Sequence, residues 1–102
     1  MKLLTKEIEK RLESHPLYSQ DNKGDDAVVI AKFFNPFGAG TWWVLEGEKR
    51  EDGDWLFFGL AEIWEREYGY FTLSELESLR LPFGLTIERD INFKPCKVSE
   101  IN

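Results

Sequence analysis

Between Phe33 and Phe71 the chain gathers its aromatic side chains into short strand-like runs: Phe33-Phe34, Trp42-Trp43, Trp55, Phe57-Phe58, Trp64, Tyr68, Tyr70 and Phe71. Fifteen of the 102 residues are aromatic. A chain of this length buries a smaller share of its surface than a larger domain does, so its core must come from few, large side chains. Runs of this kind therefore restrict the fold to a small sheet with aromatic packing, and they leave aromatic surface available to a partner.

Turn residues separate the runs. Ala27 to Phe34 reads as one β-branched and aromatic strand, and Asn35-Pro36-Phe37-Gly38-Ala39-Gly40 turns the chain into Thr41 to Glu46. A second polar turn, Glu48 to Asp54, leads into Trp55 to Trp64. The pattern predicts a three-stranded antiparallel meander. Apolar residues fall in both alternating registers, so the sheet is expected to be covered on both faces, or to leave one aromatic face open.

Two helices flank these strands. Thr5 is placed to cap a helix from about Lys6 to Ser14, with Leu4, Ile8 and Leu12 on one face and Pro16 beyond its end. Thr72 and Glu75 match a capping box, and Phe71 and Leu76 match the hydrophobic staple around it. Pro82-Phe83-Gly84 stops that helix, and Leu85 to Phe93 alternates as one further strand. The fold expected is α+β: a three-stranded meander plus a C-terminal strand, with an N-terminal helix and a second short helix. Residues 1–95 form the single domain, and 96–102 are expected to be a loose tail.

Composition excludes more than it assigns. The formal charge of −6 opposes non-specific binding to nucleic acid or anionic membrane. The stretch Met1 to Glu7 becomes charged before any apolar run of signal length, and no run approaches the ~18 residues that span a bilayer. A lone cysteine, Cys96, cannot close an internal disulfide. Together these features lead to the expectation of a cytoplasmic protein.

No recognisable catalytic set emerges. The sole histidine, His15, falls at the end of the first helix, where a cation complements the helix dipole. One histidine and one cysteine are too few for a zinc site, and Asp21, Asp25 and Asp26 lack calcium-loop spacing and read as a solvated loop. No glycine pattern cradles a phosphate. Glu46 and Glu62 could face each other across the second hairpin as a carboxylate pair, a placement that chance readily produces. Arg89 interrupts an apolar register within Glu88-Arg89-Asp90, which reads as a bridge fixing the last strand or as an exposed contact triad. No metal, cofactor or small-molecule ligand is indicated.

The blocks Lys23-Gly24-Asp25-Asp26, Leu56-Phe57-Phe58-Gly59-Leu60, Gly69 to Leu76, and Gly84 to Asp90 through Phe93-Lys94-Pro95 resemble domain-of-unknown-function family 2958. The resemblance runs from Met1 to about Pro95. It implies a short bacterial protein of plasmids, phages and integrative elements, found among antirestriction and defence genes. It carries no catalytic residue with it.

A non-enzymatic module that binds another protein, or a second copy of itself, is the leading expectation. Trp42 or Trp43, whichever faces outward, together with Trp55 and the group Glu88, Arg89 and Asp90, are the candidate contacts. Single-stranded nucleic acid stacking on exposed aromatics is an alternative. The eight acidic and three basic residues from Glu46 to Glu67 oppose it. That same acidity suggests a third reading, an imitation of DNA that occupies a DNA-binding enzyme.

Overall fold

A computed structural model describes residues 1–101. The first helix, α1, spans Lys6–Glu13 and begins where expected, with the Thr5 hydroxyl accepting the Ile8 N–H at 3.2 Å. Its buried side is Ile8 and Leu12, continued by Leu4 ahead of the cap. Arg11 reaches from its flank to donate to the Ile30 carbonyl at 3.1 Å. The helix lies close to the sheet because Gly47 has no side chain: an added Cβ there would stand 2.8 Å from Leu12 Cδ2.

The fold is α+β, as the patterning implies, but its sheet has five strands rather than a meander of three plus one. The strands are β2 (Ala31–Phe34), β3 (Thr41–Lys49), β4 (Trp55–Glu62), β5 (Arg66–Thr72) and β6 (Glu88–Arg89), in the order β5-β4-β3-β2-β6 and antiparallel throughout. β5 is the added strand of the meander. Its turn, Ile63-Trp64-Glu65, contains no glycine or proline to mark it.

The stretch from Ala27 to Phe34 is also not one strand. It breaks at Ile30, and β1 (Val28–Val29) pairs with β7 (Cys96–Lys97) in a separate two-stranded ribbon. Residues 96–101 are therefore not a loose tail. Val98 donates to the Ala27 carbonyl at 2.9 Å, and Val98 and Ile101 pack on a buried cluster. Asn102 lies outside the described residues. The strand expected over Leu85 to Phe93 shrinks to two residues. Asp90 donates its N–H to Lys32, then its own carboxylate and carbonyl accept from Asn92 and Phe93, a turn that ends the pairing.

Both faces of the sheet carry a buried cluster. On the helix side Phe33, Trp42, Val44, Phe57 and Phe71 meet Leu3, Leu4, Ile8 and Leu12 from the N-terminal segment. The second helix, α2 (Leu73–Ser78), adds Leu76 to this cluster, and its capping box between Thr72 and Glu75 is complete. On the other face Trp43, Leu45 and Leu60 pack with Ala27 and Val29, flanked by Phe93, Val98 and Ile101. The second cluster is smaller, and the β4–β5 end of that face extends beyond it. Among the described residues no helix is long and apolar enough to cross a membrane.

Candidate functional site: an aromatic strip along the outer strands

Alternation puts Trp42 and Trp43 on opposite faces, and since each face has its own cluster both are buried, at 7% and 5% exposure. Neither faces outward. Trp55 is half-buried, its ring 6.4 Å from Phe57 and packed on the helix-side cluster. The tryptophan candidates thus build the core.

The Glu88-Arg89-Asp90 group works as a tie at the β6 edge. Arg89 donates a guanidinium hydrogen bond to the Lys2 carbonyl, and its backbone N–H reaches Met1 Sδ at 3.2 Å. Asp90 faces Lys32 at 3.7 Å, and Glu88 lies opposite Phe34 in the β2–β6 pairing. The bridge expected of Arg89 thus ends on a backbone carbonyl and not on a carboxylate.

Glu46 and Glu62 do not face each other. Glu46 lies opposite Phe58 and Glu62 opposite Thr41, four residues apart on β4, or roughly 14 Å at about 3.4 Å per residue. A β-bulge between Val44 and Glu46 shifts the register. Glu46 is 2% exposed, and its oxygens accept the backbone N–H groups of Tyr18 and Gln20, each at 2.8 Å. Glu62 instead pairs with Arg66 at 2.7 Å, and that guanidinium lies 4.5 Å above the Trp43 ring.

The loop that Glu46 anchors, from Leu17 to Asp26, covers part of the second face. Tyr18 and Asn22 hold positive φ angles of 72° and 67°, conformations costly for side chains other than glycine. Gln20, also buried, donates to the Val28 and Leu45 carbonyls and accepts the Val28 N–H, so the loop is fixed to β1 and β3.

Beyond that loop the rings stay in solvent. Phe58 is half-buried, while Tyr68 and Tyr70 are 52% and 53% exposed. Phe58 and Tyr68 are nearly parallel, at 5.9 Å and 7°, and Tyr70 tilts against Phe58 at 5.1 Å. The exposed Tyr18 reaches toward them from the loop, and its side chain acts on that of Tyr70. The nearby Tyr18 hydroxyl, first, raises the Tyr70 phenol above its usual pKa, and the charges of Glu46 and Asp21 add to the effect. A cavity of about 350 Å³ opens here, lined by Gln20, Asp21, Leu45, Glu46, Phe58 and Tyr68.

A second depression, of about 620 Å³, lies along β5 and the β4–β5 turn. Trp42, Gly69 and Phe71 line it together with Glu67, Glu75 and Trp64, the last 93% exposed. Among the described residues no group of three His, Cys, Asp or Glu side chains is placed to hold a metal ion.

Sequence reasoning missed Tyr18, Phe58, Tyr68 and Tyr70 as surface residues. The signal available was the alternation Arg66-Glu67-Tyr68-Gly69-Tyr70, which puts both tyrosines on one face of a strand whose neighbours are polar or glycine. No curated protein and no solved structure matches this chain. A family profile does match, over residues 3–100, and the chain accordingly belongs to the family described as Protein of unknown function (DUF2958).

Proposed function

We propose that the protein is a non-enzymatic protein-binding module that presents the strip Tyr18, Phe58, Tyr68 and Tyr70 to its partner. The observation that carries this reading is the contiguity of Phe58, Tyr68 and Tyr70 on the outer part of the sheet, with Tyr18 exposed on the loop at its border. Tyrosine supplies large contact area with a polar tip and little entropy to lose, which suits a hot spot. The carboxylates that could have suggested catalysis have structural partners: backbone amides for Glu46 and Arg66 for Glu62. The family resemblance supports an accessory role on a mobile element, in a defence or counter-defence setting, for which protein binding is a sufficient activity.

The test is affinity capture from the native host combined with light scattering. The same protein should be captured in every replicate by the unaltered chain and lost with Tyr68→Ser/Tyr70→Ser, whose melting curve confirms folding. A strict monomer that captures nothing reproducibly, or capture that survives the double substitution, would overturn the reading.

A further inference from the structure

The two ends of the five-stranded sheet are unlike. β6 is two residues long and is tied down through Arg89 and Asp90, whereas β5 has seven residues and, among the described residues, no strand on its outer side. Open edges of that length are usually blunted by lysine, proline or a bulge. β5, Arg66-Glu67-Tyr68-Gly69-Tyr70-Phe71-Thr72, contains neither lysine nor proline, and its register against β4 runs unbroken from Thr72 to Arg66.

The chemistry beside that edge is one-sided. Glu65, Glu67 and Glu75 border the depression on the helix side, and Asp21 and Glu46 line the cavity on the other face. Arg66, the basic residue of β5, is paired with Glu62. Gly69 lies mid-strand on the same face as Glu67 and Phe71, and a Cβ there would meet nothing within 4 Å. The missing side chain leaves room above the strand, between aromatic walls and carboxylates.

We propose that β5 accepts an extended, basic segment of a partner protein as a sixth strand. Backbone hydrogen bonds along β5 supply affinity, and arginine or lysine side chains at alternate positions enter the depression over Gly69, next to Glu67 and Glu75. A second copy of the chain fits poorly, because pairing β5 with itself brings the same acidic residues together on a molecule of charge −6. This inference rests on the protein-binding reading and names the class of partner.

The probe is a nine-residue peptide of alternating arginine and valine, capped at both ends, compared with three relatives: one with glutamate for arginine, one N-methylated at alternate residues, and one with the residues scrambled around a central proline. Binding is followed by tryptophan fluorescence, to which the exposed Trp64 contributes, and by amide hydrogen exchange. The arginine peptide is expected to bind saturably and slow exchange in β5. N-methylation should weaken it about tenfold or more by removing edge hydrogen bonds, and Glu67→Gln and Gly69→Val about three- to tenfold each by removing charge and filling the depression. Thermal melts of both variants keep loss of binding distinct from loss of fold. Equal binding by the N-methylated or the glutamate peptide, unchanged exchange in β5, or a concentration-dependent dimer protecting β5 would each overturn the proposal. Because no cellular partner enters this experiment, it fails separately from affinity capture: reproducible capture without peptide binding leaves the module reading standing with a different contact.

Discussion

Among the described residues Gln20 and Glu46 are the buried polar side chains, and they are joined: the Glu46 carboxylate accepts the Gln20 backbone N–H at 2.8 Å. From the same position Gln20 ties β1 to β3, so one contact joins the strained loop, the ribbon and the main sheet. The loop in turn forms one wall of the aromatic cavity. Whatever the strip binds, its shape depends on a carboxylate two residues beyond the tryptophan pair's own strand neighbour, Val44.

Replacing Glu46 therefore tests the architecture of the site. In Glu46→Gln one oxygen becomes an NH₂ group facing a backbone N–H, and a buried donor is left without its acceptor. A loss of about 2–4 kcal/mol is expected. Urea denaturation should show a lower midpoint with an unchanged slope. Tyr18 should leave its positive-φ conformation and move away from Tyr70, which NMR shifts of the loop would report.

Gln20→Ala leaves the Val28 N–H and the Val28 and Leu45 carbonyls without their side-chain partner. The expected cost is about 2–3 kcal/mol. Because Gln20 and Glu46 hold the same loop, the double variant should cost less than the sum of the two single changes. A double-mutant cycle by chemical denaturation measures the difference, and strict additivity would show that the two residues act independently.

Gly59 and Gly69 face each other across β4 and β5, yet alanine should affect them very differently. A Cβ on Gly59 would lie 1.9 Å from the Trp43 carbonyl oxygen, a clash with backbone that no rotamer relieves. Gly59→Ala is expected to cost about 3 kcal/mol or more, or to prevent folding. Gly69→Ala meets nothing, so thermal melting should place it within about 0.5 kcal/mol of the unaltered chain.

Local signals explain which parts of the fold were legible. The capping box at Thr72 and Glu75, the Thr5 cap and the Ile8/Leu12 stripe each lie within one or two turns, and all appear as read. The strand from Thr41 was legible for the same reason, through its turn residues and β-branched content. The missed features depend on distant contacts. Ile30 breaks its strand because residues 96–97 claim Val28 and Val29, and Glu46 is buried by amides 26 and 28 residues earlier. Alternation put Trp42 and Trp43 on opposite faces, but the partners that bury Trp43 are distant in sequence: Ala27 and Val29, the Arg66 guanidinium above its ring, and the C-terminal segment that returns over the second face. The surface strip was hidden because apolar patterning treats a tyrosine on a covered face and one on an open face alike.

Asp54 offers a pH test of the α2 junction. Its carboxylate accepts the Ser74 hydroxyl and N–H and the Trp55 N–H, and these bonds, the Ser74 hydroxyl first, hold its pKa below the usual 3.8. A depressed carboxylate favours the folded state above about 3.8, and that contribution is lost as pH falls through the folded value. In Ser74→Ala the pKa should rise toward 3.8, as followed by carboxyl-carbon NMR. An unmoved titration would show that the backbone N–H groups of Trp55 and Ser74, with the charge of Arg50, set it without the hydroxyl.

His15 gives the last test, and it reverses the expectation of a cation at the end of α1. The helix is capped by Ser14, and His15 lies past it with its carbonyl accepting the Gly47 N–H. Burial first, then the charge of Lys23, lowers its pKa from 6.5, while Glu46 pulls it upward. The unfolded chain then binds the proton more readily than the folded one. The neutral ring's contribution to stability is present above about 6.5 and is lost as pH falls through that value toward the folded pKa. As the sole histidine its ring protons give one resolved NMR titration, which should have its midpoint below 6.5. Lys23→Gln should move that midpoint up and Glu46→Gln should move it down. Opposite shifts from these two substitutions would show that His15 senses the loop anchor itself, whereas a midpoint indifferent to both would leave burial as its sole cause.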